Sequence, residues 1–76
     1  MYNARIKMPE IFEGKSKKEI KQLIEENIFN PDKKNVAIKY YVYENCMIDI
    51  ACEYNIHRNT VSTILQRVVE QIERAS

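Results

Sequence analysis

Turn-forming residues are scarce in this chain, with one glycine and two prolines among 76 residues. A β-rich domain with many hairpins needs far more of both, so that architecture is excluded and short connections between helices are favoured. No apolar run approaches the roughly 18 residues of a membrane span. The opening Met1-Tyr2-Asn3-Ala4-Arg5 has no secretory character, and a cytoplasmic protein without membrane association is expected. Charge of one sign is missing too. Twelve Lys and Arg stand against eleven Asp and Glu, a net of +1, so no broad basic field marks the chain as a nucleic-acid binder.

The chemistry of catalysis is equally thin. There is one histidine, no Gly-rich phosphate loop, no serine–histidine–carboxylate set and no paired-acid pocket. Cys46 and Cys52, with His57, supply three zinc-ligand types without a fourth and without a Cys-x-x-Cys unit. On one helix the two thiols fall on different sides, so no disulfide is expected between them. They read as small buried or half-buried thiols in a reducing compartment. The sequence therefore describes a non-enzyme with no cofactor and no metal.

What is present is helical periodicity. With 45% hydrophobic residues the chain can build one small globular core. Residues 1–15 form an irregular arm in which Tyr2, Ile6, Met8, Ile11 and Phe12 are spaced among charges. Residues 16–76 form a single helical domain. Ser16-Lys17-Lys18-Glu19 is a capping box, and Ile20, Leu23, Ile24 and Ile28 make one apolar stripe. That predicts a helix from about Lys17 to Ile28, with Phe29 anchoring its exit. Asn30-Pro31-Asp32 is a second start signal. The segment Val36–Tyr43 is apolar or aromatic except at Lys39, which fits a central helix broken at Glu44-Asn45-Cys46. A short helix from Met47 to Tyr54 and a long one from Arg58 to Arg74 complete an all-α bundle of about four helices.

Residues 47–66 form a complete helix-turn-helix frame. Ala51 is the small residue that lets two helices cross closely, and Asn55 tolerates the left-handed backbone of a turn. In the last helix Val61, Ile64, Leu65, Val68, Val69 and Ile72 share one arc, with Asn59, Ser62, Thr63 and Gln66 opposite. His57, Arg58, Asn59, Ser62, Thr63 and Gln66 are all hydrogen-bonding types able to address base edges or phosphates. Arg67 joins them on the same helix. Glu70 and Glu73 would repel phosphates, so the second half of this helix should leave the groove. Lys33 and Lys34, at the start of the second helix, are further phosphate candidates. The tyrosines at 40, 41 and 43 read as core and interface rather than a base-stacking platform, since only Lys39 interrupts them.

Asn30-Pro31-Asp32, Asp49-Ile50-Ala51, Tyr54-Asn55-Ile56 and Arg58-Asn59-Thr60-Val61-Ser62 together resemble a sigma-factor region 4-like or resolvase-like helix-turn-helix. Small phage and mobile-element regulators often carry this module, and the similarity covers roughly residues 31–70. The resemblance implies that the helix beginning near Arg58 lies in the major groove of duplex DNA. The function it implies is that of a small transcriptional regulator. A recombination or phage-packaging accessory is the second possibility, and a helical protein-interaction module without DNA binding the third. Residues 35–76 carry four basic side chains and five acids. A single copy therefore has little charge for binding, which favours a homodimer formed through Tyr40, Tyr41 and Tyr43 or through Val68, Val69 and Ile72.

Overall fold

The computed structural model describes residues 9–75. Four helices carry the fold: α1 (Lys17–Asn27), α2 (Pro31–Tyr41), α3 (Met47–Tyr54) and α4 (Arg58–Ala75). There is no strand among the described residues. The expected all-α bundle is the observed one.

The arm contributes more than an irregular lead-in. Glu10–Phe12 is one turn of 3-10 helix, and Phe12 is almost fully buried. Its ring stands 4.9 Å from that of Tyr41, edge to face, an arrangement aromatic pairs favour. Tyr2, Ile6 and Met8 lie outside the described residues.

Each helix start follows from local chemistry. In α1 the Ser16 hydroxyl accepts the Glu19 amide at 3.2 Å, and the Glu19 carboxylate accepts the Ser16 amide at 3.0 Å. The capping box is complete. The Ser16 amide, and after it the Ser16 hydroxyl, hold the Glu19 carboxyl below its ordinary range. In α2 the Asn30 side chain accepts from the Asp32 and Lys33 amides, and Pro31 occupies the first helical position, where no amide is missed.

Two boundaries differ from the sequence expectation. Phe29 does not anchor the exit of α1: it is 78% exposed. Ile28 takes that role, because it continues the Ile20–Ile24 stripe and is only 1% exposed. Ile28 has extended backbone, so the next side chain points to the opposite side. Helix α2 ends at Tyr41 rather than running on through Tyr43. The Tyr43 and Asn45 amides turn back to the Ile38 and Lys39 carbonyls. Glu44 adopts a left-handed backbone at φ 59°, and its carboxylate meets Lys17 Nζ at 2.7 Å.

The core is purely apolar among the described residues. Ile20 and Ile24 of α1 meet Val36, Ala37, Ile38 and Tyr41 of α2, Ile50 and Ala51 of α3, and Val61, Leu65, Val68 and Ile72 of α4. Helix α2 touches all three others, which is why its apolar residues are not confined to one stripe. Burial of Val68 and Ile72 corrects the expected dimer surface. The two lie at 1% exposure inside the monomer's own core, as does Tyr41 at 4%. They are not available to a second copy. Only Tyr40, Tyr43 and Val69 of the six proposed interface residues keep accessible surface.

Burial also acts on the Tyr41 phenol. Loss of water around it pushes its pKa up to about 12, with Tyr40 adding to the shift.

Candidate nucleic-acid interface

The turn between α3 and α4 is built by its backbone. Asn55 sits at φ 56°, ψ 44°, in the left-handed region. The Ile56 amide donates to the Ala51 carbonyl at 2.9 Å and the Asn55 amide to the Cys52 carbonyl at 3.2 Å. This crossed pair is a Schellman motif, which satisfies carbonyls otherwise orphaned at a helix end. The motif normally sets an apolar residue after the turn against the last helical turn, and Ile56 with Ala51 fills those positions. Ala51 is buried, and α3 packs directly on α4, so a small side chain stands where close packing of the motif needs one.

Helix α4 then starts from His57. The His57 carbonyl accepts the Thr60 and Val61 amides, and its Nδ1 accepts the Asn59 amide at 3.0 Å. The lone histidine is therefore the N-cap of the helix. From there the side chains sort by angle. Val61, Leu65, Val68 and Ile72 are buried; Arg58, Asn59, Thr63, Gln66 and Arg67 are exposed, and Ser62 is half-buried. The Thr63 hydroxyl donates back to the Asn59 carbonyl at 3.0 Å, which ties up its proton and leaves its oxygen as an acceptor.

The electrostatics of this surface are local. From Tyr54 to Val69 the chain holds no carboxylate, and Arg58 and Arg67 are its cations. The acid immediately before that stretch, Glu53, is matched by Lys39 of α2 at 3.0 Å. The hydrogen bond to Glu53 holds the Lys39 ammonium above its ordinary range, against the opposing effect of burial. Glu70 and Glu73 follow on the second half of α4, both exposed. Neutral hydrogen-bonding groups with Arg58 and Arg67 thus occupy the first half of the helix, and Glu70 and Glu73 the second.

Seven of the nine sequence-derived site residues come together here: His57, Arg58, Asn59, Ser62, Thr63, Gln66 and Arg67 lie on α4 or its cap. Lys33 and Lys34 do not join them on that element. They are half-buried in the first turns of α2. The Lys39–Glu53 pair ties the far half of α2 to the end of α3.

Sequence reasoning missed the apolar border of the site. A shallow depression beside the turn is lined by Ile48, Ala51, Cys52, Asn55, Ile56, His57 and Arg58. Ile48 is 56% exposed. It stands four residues before Cys52 on α3, a same-face spacing that could have signalled the border. The expectation of buried or half-buried thiols is corrected: Cys46 and Cys52 are both exposed and free. Cys46 caps α3 without packing into the core, and Cys52 faces this depression. Among the described residues no group of three or more His, Cys, Asp or Glu is placed to hold a metal ion, and no helix is long and apolar enough to cross a membrane.

Comparison with family models, curated proteins and solved structures finds no match to this chain.

Proposed function

We propose that this protein binds duplex DNA, with the first half of α4 in the major groove and α3 bracing it. One observation carries the reading. An exposed, carboxylate-free face of hydrogen-bonding residues begins at the second helix of a helix-turn-helix closed by a left-handed Asn55. Arg58 supplies paired donors for guanine or phosphate, while Asn59 and Gln66 offer the amide groups that pair with adenine edges. Eight residues from Arg58 to Leu65 span about 12 Å at 1.5 Å per residue, close to the width of the groove. The reading supports a small sequence-specific transcriptional regulator.

The weak net charge shapes how it would bind. One copy offers Arg58, Arg67, Lys33 and Lys34 to phosphates, so little counterion release is available to it. Two copies on adjacent half-sites double the contacts and make the second binding event effectively intramolecular. Contact between such copies would draw on Tyr40, Tyr43 or Val69, which the core leaves accessible.

Selection of bound sequences from a random duplex pool, at low salt, tests the function. Enrichment of a defined sequence supports a regulator. Salt-sensitive binding without enrichment supports an accessory DNA-binding subunit. Absence of binding at low salt removes the DNA reading and leaves a protein-interaction module.

A further inference from the structure

Histidine is a poor choice for a plain N-cap, where Ser, Asn and Asp perform best. His57 nevertheless holds that position, and its Nδ1 accepts the Asn59 amide at 3.0 Å. A nitrogen that accepts carries no hydrogen, so a neutral imidazole in this pose must bear its proton on Nε2. The two ring nitrogens face widely different directions. With Nδ1 turned to the helix, Nε2 points away from it, and the residue is exposed. The His57 side chain makes no other hydrogen bond among the described residues. Its polar neighbours in the depression are Arg58 of α4, also a donor, Cys52 of α3 and Asn55 of the turn.

We infer that the cap locks His57 into the Nε2–H form and so makes it a fixed hydrogen-bond donor on the DNA-facing surface, aimed at acceptors only. Its partners would be a phosphate oxygen, or the O6 and N7 of guanine and the O4 of thymine at a groove edge. The amino groups of cytosine and adenine offer it nothing. Capping and recognition are thereby joined in one side chain: the amide that starts the helix sets the polarity of the contact. This role rests on the duplex reading above, while the tautomer itself does not.

Two measurements separate the parts. Long-range proton–nitrogen correlation spectra of the free protein near pH 8, above the usual imidazole range, should show His57 protonated on Nε2. Protonation on Nδ1 would overturn the lock. The second measurement compares melting temperature and duplex affinity, on the sequence selected by the wild type, for His57→Ser and His57→Ala. Serine keeps a capping oxygen, and its short hydroxyl, the one donor left, stays beside the backbone and does not reach as far as Nε2. His57→Ser should therefore melt close to wild type yet bind about tenfold more weakly, since a hydrogen bond to a charged acceptor is worth about that or more. His57→Ala should lose in both readouts. Serine-variant affinity equal to wild type overturns the donor role and leaves duplex binding intact. A wild type that binds no duplex overturns the donor role together with the function beneath it.

Discussion

Single side chains divide into those proposed to read DNA and those that pack. Arg58 is exposed at the first position of α4, and its guanidinium is the only fork-shaped donor in the first turns. Arg58→Ala should weaken duplex binding by about 1–3 kcal/mol, the worth of a bidentate base contact. Glu73→Ala, on the acidic half, should leave binding unchanged or slightly improved. A low-salt titration in which Arg58→Ala matches the wild type would remove the arginine from the interface. Ala51 belongs to the packing group. Leucine there overpacks the α3–α4 contact at a cost of about 1–3 kcal/mol, a large share of the roughly 5 kcal/mol that holds a domain this small. Chemical denaturation should show it, and an unchanged midpoint would mean that the helices do not meet at Ala51. Tyr41 gives a prediction in alkali. Its folded pKa of about 12 stands above the ordinary phenol value of 10.0, so the unfolded chain loses this proton first. Stability contributed by the neutral phenol is complete below pH 10 and declines as pH rises toward 12, by at most about 1.4 kcal/mol per pH unit. Tyr41→Phe should lack this component, seen as the difference between the two unfolding profiles.

At the level of helices, the start signals were the most legible part of the sequence. Ser16–Glu19 and Asn30–Pro31 are local chemistry, and both caps form as the spacing implies. The helix-turn-helix boundaries were equally readable, because Asn55 and the apolar run from Val61 act within one or two turns. What the sequence concealed depends on tertiary geometry. Whether Ile28 or Phe29 enters the core is decided by which one continues the stripe, and neighbouring apolar residues compete for one place. Val68 and Ile72 were misread as surplus surface because the sequence does not reveal that α1 and α2 cover α4 as far as Ile72. In the candidate site, the polar face followed from the angular positions on α4. The histidine's tautomer did not, since it depends on one hydrogen-bond distance. The turn makes its own prediction: Asn55→Gly should be tolerated, whereas Asn55→Ala should cost about 1 kcal/mol, because alanine lacks the short polar side chain whose local hydrogen bonding makes the left-handed region tolerable for asparagine. Thermal melts of the two variants check this, and equal melting temperatures would show that the backbone does not depend on a residue tolerant of positive φ.

For the whole molecule, the proposed function requires an almost neutral chain to bind DNA by placement of charge rather than by its sum. The cations that the proposal assigns to phosphates are Arg58 and Arg67 on α4, with Lys33 and Lys34 on a separate helix. Four phosphate contacts give a salt dependence no steeper than about −4 in the logarithmic plot for each copy. Sedimentation with a selected duplex should then find two copies per site, and a single copy bound at nanomolar affinity would contradict the argument from low charge. The central claim, that the first half of α4 and its cap form the reading surface, is tested most directly by mapping backbone amide shifts of isotope-labelled protein as duplex is added. The largest changes should fall on residues 57–67, with small ones over the acidic residues 70–74. Changes concentrated on α1 or on the second half of α4, with residues 57–67 unmoved, would contradict it.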